Sequence, residues 1–184
     1  MTVTNCRLVT WNLVGLVGAL WTMTLPATAH CQEMHRIVYE RPADSTEYTQ
    51  QMRINVGDVP GHQVRVYELK TTYNDNSVKF LGVPVAEEWN RGFSDYTNTN
   101  GRHSGYCLFV MKDGDKIHCR LEGTTHSASN TQGSQTVTYA GITTLTGGTG
   151  RFQGIRGTLR YSGFYDPIAD RSGDKSEGEY WLEE

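Results

Sequence analysis

The sequence predicts an all-β protein, a closed antiparallel β-barrel of about eight strands that follows an N-terminal export signal. Three observations predict this fold class. Runs of alternating apolar and polar residues recur along the chain, and clusters of Gly, Asn, Asp and Ser separate them. Outside residues 1–29, no run has the period and caps of an amphipathic helix. The 184 residues include 20 glycines and 10 tyrosines, and this length suits one domain with a substantial core.

Residues 1–29 have the composition of a cleavable secretory signal peptide. A positively charged residue precedes the largely apolar run Leu8–Leu25, and Ala27 and Ala29 occupy the small positions of an A-x-A cleavage site. We therefore expect residues 30–184 to form the mature domain and to be secreted or periplasmic. A membrane anchor is the alternative, because the apolar run is nearly long enough to span a bilayer. No second run of that length follows, so no span is expected after cleavage.

The first half of the mature domain predicts a series of strands. His35–Pro42, Thr46–Asp58 and His62–Tyr73 are strand candidates, and the alternation is clearest in the third. Val78–Val85 is a short apolar strand that a proline interrupts. Glu87–Gly105 is polar and rich in Asn, Gly and Ser, so we expect an irregular lid or mouth loop there.

The hairpin Tyr106–Gly123 carries Cys107 and Cys119 on its two arms. A three-residue loop with a left-handed Gly114 places the two cysteines opposite each other, whereas a two-residue loop places Leu108 opposite Cys119. Both registers pair apolar residues, so the pattern leaves open a disulfide and two buried thiols. An exported compartment permits the disulfide.

The C-terminal part predicts two further strands, two loops and a closing strand. Thr125–Ser134 is expected to be a flexible loop, and Gln135–Leu145 is a Thr-rich strand. Ile155–Tyr165 alternates with period two. Asp166–Gly178 is expected to be a loop that leads into the last short strand, Glu179–Glu184.

The segment Leu145–Gly163 is dense in glycine, which raises the question of a phosphate site. Its spacing matches neither a Walker loop nor the dinucleotide-binding pattern, and no helix is predicted after it. We interpret it as a turn between antiparallel strands, in which glycine permits positive φ and the strand bending that closes a barrel. The structural glycines are Gly147, Gly148, Gly150, Gly154 and Gly157.

The same segment resembles a known superfamily. Thr146–Gly157 is similar to the glycine-rich segment of the allene oxide cyclase-like and dirigent-like β-barrels, and Gly178–Leu182 resembles the closing strand of small exported bacterial members. The resemblance implies a calycin-like antiparallel barrel with an apolar interior, often oligomeric. Plant members guide the cyclisation or coupling of reactive small molecules. The motif describes a turn, so it implies a fold more than an activity.

Charge and composition narrow the functional classes. A formal net charge of -3 gives no basic field for nucleic acid, and the histidines do not cluster at zinc spacings, so no metal or other cofactor is expected. We predict that the interior binds a small apolar or amphipathic molecule. An isomerase or cyclase and a non-catalytic structural or interaction barrel are the alternatives, and the resemblance also allows a homo-oligomer.

Candidate site residues follow from these hypotheses. Glu87 or Glu88 beside an aromatic ring can act as a general base, although a solvated acidic turn is the commoner role of such a pair. Inward tyrosines can hydrogen-bond a ligand in an apolar cavity, whereas ordinary barrel filling is the structural alternative. The catalytic candidates are Glu87, Glu88 and Tyr161, and the ligand-binding candidates are Trp89, Tyr106, Tyr161 and Tyr165.

Overall fold

The computed structural model describes residues 3–6, 31–129, 135–166 and 171–183, and nearly all of them lie in β-strands. The strands are β1 (Val3–Cys6), β2 (Cys31–Glu40), β3 (Thr46–Asn55), β4 (His62–Thr72), β5 (Lys79–Phe80), β6 (Val83–Thr97), β7 (Asn100–Met111), β8 (Lys116–Ser129), β9 (Gln135–Gly148), β10 (Ile155–Asp166) and β11 (Arg171–Leu182). Two 3₁₀ turns, Ala43–Ser45 and Gly150–Phe152, complete these elements. Apart from β1, the segment predicted to be a signal peptide lies outside the described residues. No helix in the described ranges is long and apolar enough to cross a membrane.

The strands form one antiparallel sheet with the neighbour order β1-β2-β11-β10-β9-β8-β7-β6-β4-β3, and β5 pairs with β6. The prediction of an all-β antiparallel protein is therefore confirmed, but the prediction of a closed barrel of about eight strands is corrected. Among the described strands, β3 pairs only with β4, so the sheet stays open at that edge. A β-bulge interrupts β3 between Tyr48 and Gln50. Bulges twist and bend a strand, which is a common way to keep an edge unpaired.

The sheet is strongly curled even though its edges do not pair. β2 and β3 lie near opposite ends of the neighbour order, yet only residues 41–45 connect them. A connection of this length spans at most about 18 Å. It is tied to both sides, because the Thr46 Oγ1 atom lies 2.9 Å from Thr71 Oγ1 on β4 and the Arg41 amide donates to the Asp174 carbonyl on β11. The curl gives the sheet a concave inner face.

The expected loop over Glu87–Gly105 is wrong, because these residues form most of the long β6–β7 hairpin. The strands meet at a tight turn in which Asn98 and Thr99 have positive φ values of 50° and 68°. Asn tolerates the left-handed region, which a two-residue hairpin of this kind requires. The segment is polar because its inward side chains, among them Asn90, Ser94 and His103, line a cavity and are not part of the packed apolar core.

Three further segments differ from the prediction. Residues 171–178, expected in a loop, belong to β11, which pairs with β10 on one side and β2 on the other. Thr125–Ser129 extends β8, while residues 130–134 and 167–170 lie outside the described residues. The apolar run 78–85 folds into a tight β5–β6 hairpin whose turn residues, Leu81 and Gly82, have φ values of 47° and 78°.

The cysteine hairpin adopts the register of the three-residue loop. Gly114 has a φ of 93°, Cys107 lies opposite Cys119, and the two cysteines form a disulfide. The glycine-rich segment joins β9 to β10 through the second 3₁₀ turn, and Gly150 has a φ of 52°. A Cβ on Gly150 would also collide with the Asp115 carboxylate, so both backbone and space require glycine there.

An apolar core fills one end of the concave face. It is formed where β6, β8 and β10 begin and β7 and β9 end, and β5 and the second 3₁₀ turn cover it. Each fully buried aliphatic or aromatic side chain contributes about 1.5–3 kcal/mol. The fully buried members are Val78, Phe80, Val85, Phe109, Met111, Ile117, Leu145, Phe152, Ile155 and Leu159. The other end of the concave face stays hollow.

Candidate functional site

A cavity of about 830 Å³ occupies the hollow end of the concave face. Strands β3, β4 and β6–β11 all contribute to its wall, so it lies inside the curl of the sheet. Its surface is largely apolar but carries many hydroxyl and charged groups. The lining tyrosines are Tyr48, Tyr67, Tyr96, Tyr139, Tyr161 and Tyr165, and other side chains on the wall include Arg53, Arg65, Leu69, His103, Leu121, Val137 and Asp174.

Glycines in neighbouring strands give three of these tyrosine rings their positions. The cross-strand partners are Tyr67 and Gly92, Tyr139 and Gly163, and Tyr161 and Gly141. In each pair, a Cβ added to the glycine would overlap the tyrosine side chain. An aromatic ring that lies across a strand glycine covers exposed backbone and holds the pairing register. The glycines thus let the rings lie flat against the wall and keep the cavity open.

A buried guanidinium joins three parts of the fold at one side of the cavity. Arg41, just after β2, donates from Nη2 to Glu88 Oε1 on β6 at 2.7 Å and from Nη1 to Asp174 Oδ2 on β11 at 2.7 Å. The Arg41 side chain is 15% exposed, and the Glu88 and Asp174 side chains are 3% and 6% exposed. Buried charges of this kind are tolerated only when they are paired and hydrogen-bonded.

The two carboxylates of this cluster have different surroundings. Glu88 also accepts hydrogen bonds from the Tyr73 hydroxyl at 2.8 Å and the Asn90 amide at 3.0 Å. Burial acts to raise the pKa of Glu88, but Arg41 and these donors lower it overall. Asp174 accepts from the Tyr139 hydroxyl through Oδ2, while its buried Oδ1 has no hydrogen-bond partner among the residues that the structure describes. Burial therefore raises the pKa of Asp174 despite the nearby guanidinium.

A second polar network surrounds His103 on β7. The His103 Nε2 atom lies 2.6 Å from the Tyr161 hydroxyl, and Nδ1 lies 3.1 Å from the Tyr96 hydroxyl and 3.3 Å from Thr125 Oγ1. The Tyr96 and Thr125 hydroxyls are 2.8 Å apart. Burial, with a smaller effect of Arg65, lowers the pKa of His103. A neutral imidazole in contact with three hydroxyls can both donate and accept a proton.

The structure distributes the predicted site residues over both faces of the sheet. Tyr161 and Tyr165 line the cavity, and Glu88 lies beside it in the buried ion pair. Glu87 and Trp89 lie on the outer face, where Trp89 Nε1 donates to Glu87 Oε2 at 2.9 Å and Lys70 pairs with Glu87 at 2.8 Å. Lys70 and the Trp89 hydrogen bond lower the pKa of Glu87. Tyr106 is 64% exposed on the outer face, beside Arg120.

Several residues of the site were missed by sequence reasoning. Arg41, His103 and Asp174 lay at the end of a strand or in segments predicted to be loops, so they had no assigned face. For Asp174 the evidence of a strand in the sequence was only weak, because the first part of β11 is rich in Gly, Ser and charged residues and does not alternate between apolar and polar residues. For His103 a signal existed: from Arg102 to Met111 the residues alternate, and His103 shares parity with the apolar Cys107 and Phe109.

No group of three or more His, Cys, Asp or Glu side chains within the described ranges could hold a metal ion. The contacts that the cavity residues make are hydrogen bonds, ring contacts and ion pairs.

Comparison with protein-family models finds no match for the chain, and comparison with curated proteins finds none either. The resemblance of the glycine-rich segment to the allene oxide cyclase-like and dirigent-like barrels stays a prediction.

Proposed function

We propose that this chain binds a small amphipathic molecule on the concave face of its sheet. The observation that carries this proposal is the cavity of about 830 Å³, which falls in the range of about 300–1,000 Å³ typical of small-molecule sites. A fully packed interior, on which a purely structural or interaction role would rest, is not supported by a space of this size.

The lining favours an amphipathic ligand over a purely apolar one. Tyrosine rings and the side chains of Leu69, Leu121 and Val137 offer apolar contact, while the hydroxyls of Tyr96, Tyr139 and Tyr161 offer polar contacts. A pocket that is mostly apolar with a few placed polar groups holds and orients such a molecule. Tyrosine suits both tasks, because one end of its side chain is apolar and the other is polar.

A blocked cavity tests this proposal. Thr143 lines the cavity, whereas the adjacent Thr144 is exposed on the opposite face. We expect the neutral fluorophore N-phenyl-1-naphthylamine to gain fluorescence on binding to the wild-type protein, and Thr143→Trp to abolish this gain. Thr144→Trp is the matched control and should bind as wild type does. Equal binding by all three proteins would place the fluorophore outside the cavity and contradict the proposal.

A second candidate function is an isomerase or cyclase of a reactive small molecule, and the contact between Tyr161 and His103 favours it. The Tyr161 hydroxyl lines the cavity, and burial raises its pKa, so it is a neutral acid at neutral pH. It can donate a proton to an oxygen that becomes anionic in a substrate, and the buried His103 can resupply that proton.

Product analysis after incubation with conjugated epoxides and enones tests the second function. For any conversion found, Tyr161→Phe should lower the rate about 100-fold or more, in the range of general acid catalysis. Tyr165→Phe, on the same wall, should change it less than about threefold, because no hydrogen bond to His103 is lost. A rate unchanged by Tyr161→Phe would exclude Tyr161 as the acid.

We propose in addition that the chain is exported to an oxidising compartment. The composition of residues 1–29 supports export, and the Cys107–Cys119 disulfide is typical of such compartments. Membership of the superfamily that the glycine-rich segment resembles, and a homo-oligomeric state, are proposals that rest on that resemblance alone.

A further inference from the structure

Two arginines face each other on the β3–β4 wall of the cavity. Arg53 and Arg65 are direct cross-strand partners, and both side chains line the cavity. Like charges directly opposite each other in an antiparallel pair destabilise the sheet. A nearby negative charge would remove this penalty.

Neither arginine has such a counter-charge in the part of the chain that the structure describes. Over the described residues, no carboxylate oxygen lies within 4.0 Å of the Arg53 or Arg65 guanidinium, whereas Arg41, which also lines the cavity, pairs with two carboxylates. Arg53 donates from Nη2 to the neutral amide oxygen of Gln51 at 3.0 Å. Arg65 donates from Nε to Ser94 Oγ at 3.3 Å, and neither of its terminal nitrogens has a hydrogen-bond partner among these residues.

The Arg65 guanidinium is nevertheless held in a defined place. Its Cζ atom lies 4.8 Å from the centre of the Tyr67 ring and 5.2 Å from that of the Tyr48 ring. Tyr67 in turn rests on Gly92, so its ring is fixed by the neighbouring strand. Stacking on aromatic faces leaves the planar edge of a guanidinium, with its paired N–H donors, free for an acceptor.

We propose that Arg53 and Arg65 form the binding site for an anionic head group of the amphipathic ligand. The inference rests on the proposed binding function and narrows its ligand class to amphipathic anions. A carboxylate, sulfonate or phosphate shares the required chemistry, because each presents two or more oxygens to the guanidinium edge. Asp174, the carboxylate on the cavity wall, is already bound to Arg41, so Arg65 and Arg53 are the cations left to a ligand.

A matched pair of fluorophores tests the head-group site. The anion 8-anilino-1-naphthalenesulfonate differs from neutral N-phenyl-1-naphthylamine only by its sulfonate, so the ratio of their affinities isolates the charge. We expect the wild-type protein to bind the sulfonate at least about tenfold more tightly, as charge-assisted hydrogen bonds allow. Arg65→Gln and Arg53→Gln should each reduce this ratio, and the double variant should abolish it, with the affinity for the neutral compound measured in every variant as the reference.

A control variant and a conservative substitution make the result specific. Arg160→Gln removes the same charge from an exposed position on the outer face of β10 and should leave the ratio unchanged. Arg65→Lys keeps the charge but loses the paired donors, so it should give an intermediate ratio. Arg53 lies on the exposed edge strand, so Arg53→Gln is expected to fold even if the Arg65 variants do not.

Each outcome decides between the hypotheses. If both compounds bind but the arginine variants leave the ratio unchanged, the anion site is wrong and the binding function stands. If Thr143→Trp also fails to weaken either compound, or if neither compound binds to the wild-type protein, the proposed function and the anion site both fall. A ratio near one in the wild-type protein likewise overturns the anion site.

Discussion

At the scale of single residues, Arg41 determines how two buried carboxylates behave. It lies between Glu88 and Asp174, so one positive charge is shared by two negative charges in a site with little access to solvent. Glu88 accepts hydrogen bonds from two further donors, and its pKa is lowered. Asp174 accepts from one further donor, its other oxygen has no partner among the described residues, and its pKa is raised. Hydrogen bonds decide which of two similarly buried acids is more easily ionised.

The first prediction concerns Glu88. Glu88→Gln leaves Arg41 with one carboxylate and removes a buried charge pair, so the free energy of unfolding should fall by about 3 kcal/mol at neutral pH. Urea denaturation measures the loss. Glu87→Gln is the matched control, because Glu87 makes a partly exposed ion pair on the outer face and its loss should cost at most about 1 kcal/mol. Equal losses in the two variants would contradict the assigned role of Glu88.

The second prediction concerns pH. The pKa of His103 is lower when folded than when unfolded, so proton uptake favours the unfolded state and stability falls as pH drops below about 6.5. His103→Gln should make unfolding free energies at pH 7.5 and pH 5.5 more similar than in the wild-type protein. Protonation of His62 has the opposite effect on stability, because hydrogen bonds to Asp95 and to Asp58 raise the pKa of His62 in the folded state. His62→Gln should therefore steepen the loss at acid pH, and an unchanged slope in His103→Gln would exclude His103 as its source.

At the scale of the strands, pairing of tyrosine with glycine explains both the open cavity and the glycine content of the sheet. The β10 strand provides Gly163 to Tyr139 of β9, and its own Tyr161 lies on Gly141 of β9. In each pair, the glycine of one strand leaves room for the tyrosine ring of the neighbouring strand. Tyr139 gains a further constraint because its hydroxyl donates to Asp174.

The third prediction tests this pairing. Gly163→Ala places a methyl group against the Tyr139 ring, and such overpacking should lower the free energy of unfolding by about 1–3 kcal/mol. In a Tyr139→Ala background the ring is absent, so the same alanine should cost much less. A double-mutant cycle in urea measures the difference. Additive effects would mean that Gly163 is required for its backbone and not for the ring.

At the scale of the whole molecule, the curled sheet has a packed end and a hollow end. The packed end contains the apolar core and the disulfide, and the hollow end contains the cavity and both polar networks. Arg41 links β2 to β6 and β11 across the curl, although β2 and β3 do not pair. Among the described residues, the cavity wall extends from Arg41 to Asp174 along the chain and does not include β1.

The fourth prediction concerns processing of the chain. If residues 1–29 are an export signal, the protein recovered from its exported fraction should have the mass of residues 30–184, less two hydrogens for the disulfide. Ala29→Gln should impair cleavage, because the cleavage site requires a small residue there. Intact-mass spectrometry measures both. An exported protein that retains residues 1–29 would favour the membrane-anchor alternative.

The sequence by itself determined the β class, most strand positions, the turn after β9 and the alternation of β10. These features depend on local periodicity and turn chemistry, which a sequence displays directly. It also narrowed the cysteine hairpin to two registers. It could not identify β6 and β11 in full, because the parts of these strands that line the cavity are rich in Gly, Ser, Asn and charged residues, as loops are.

Only the tertiary structure decided which side chains face the cavity. The bulge between Val85 and Glu87 turns both Val85 and Glu88 inward despite their odd spacing, so Trp89 points outward. Arg41, Glu88 and Asp174 are brought together by the curl of the sheet over sequence separations as large as 133 residues. Alternation tells which residues of a strand share a face. Whether that face points into the cavity or outward, and which distant residues it contacts, depends on register and curvature, which arise only when the strands pack.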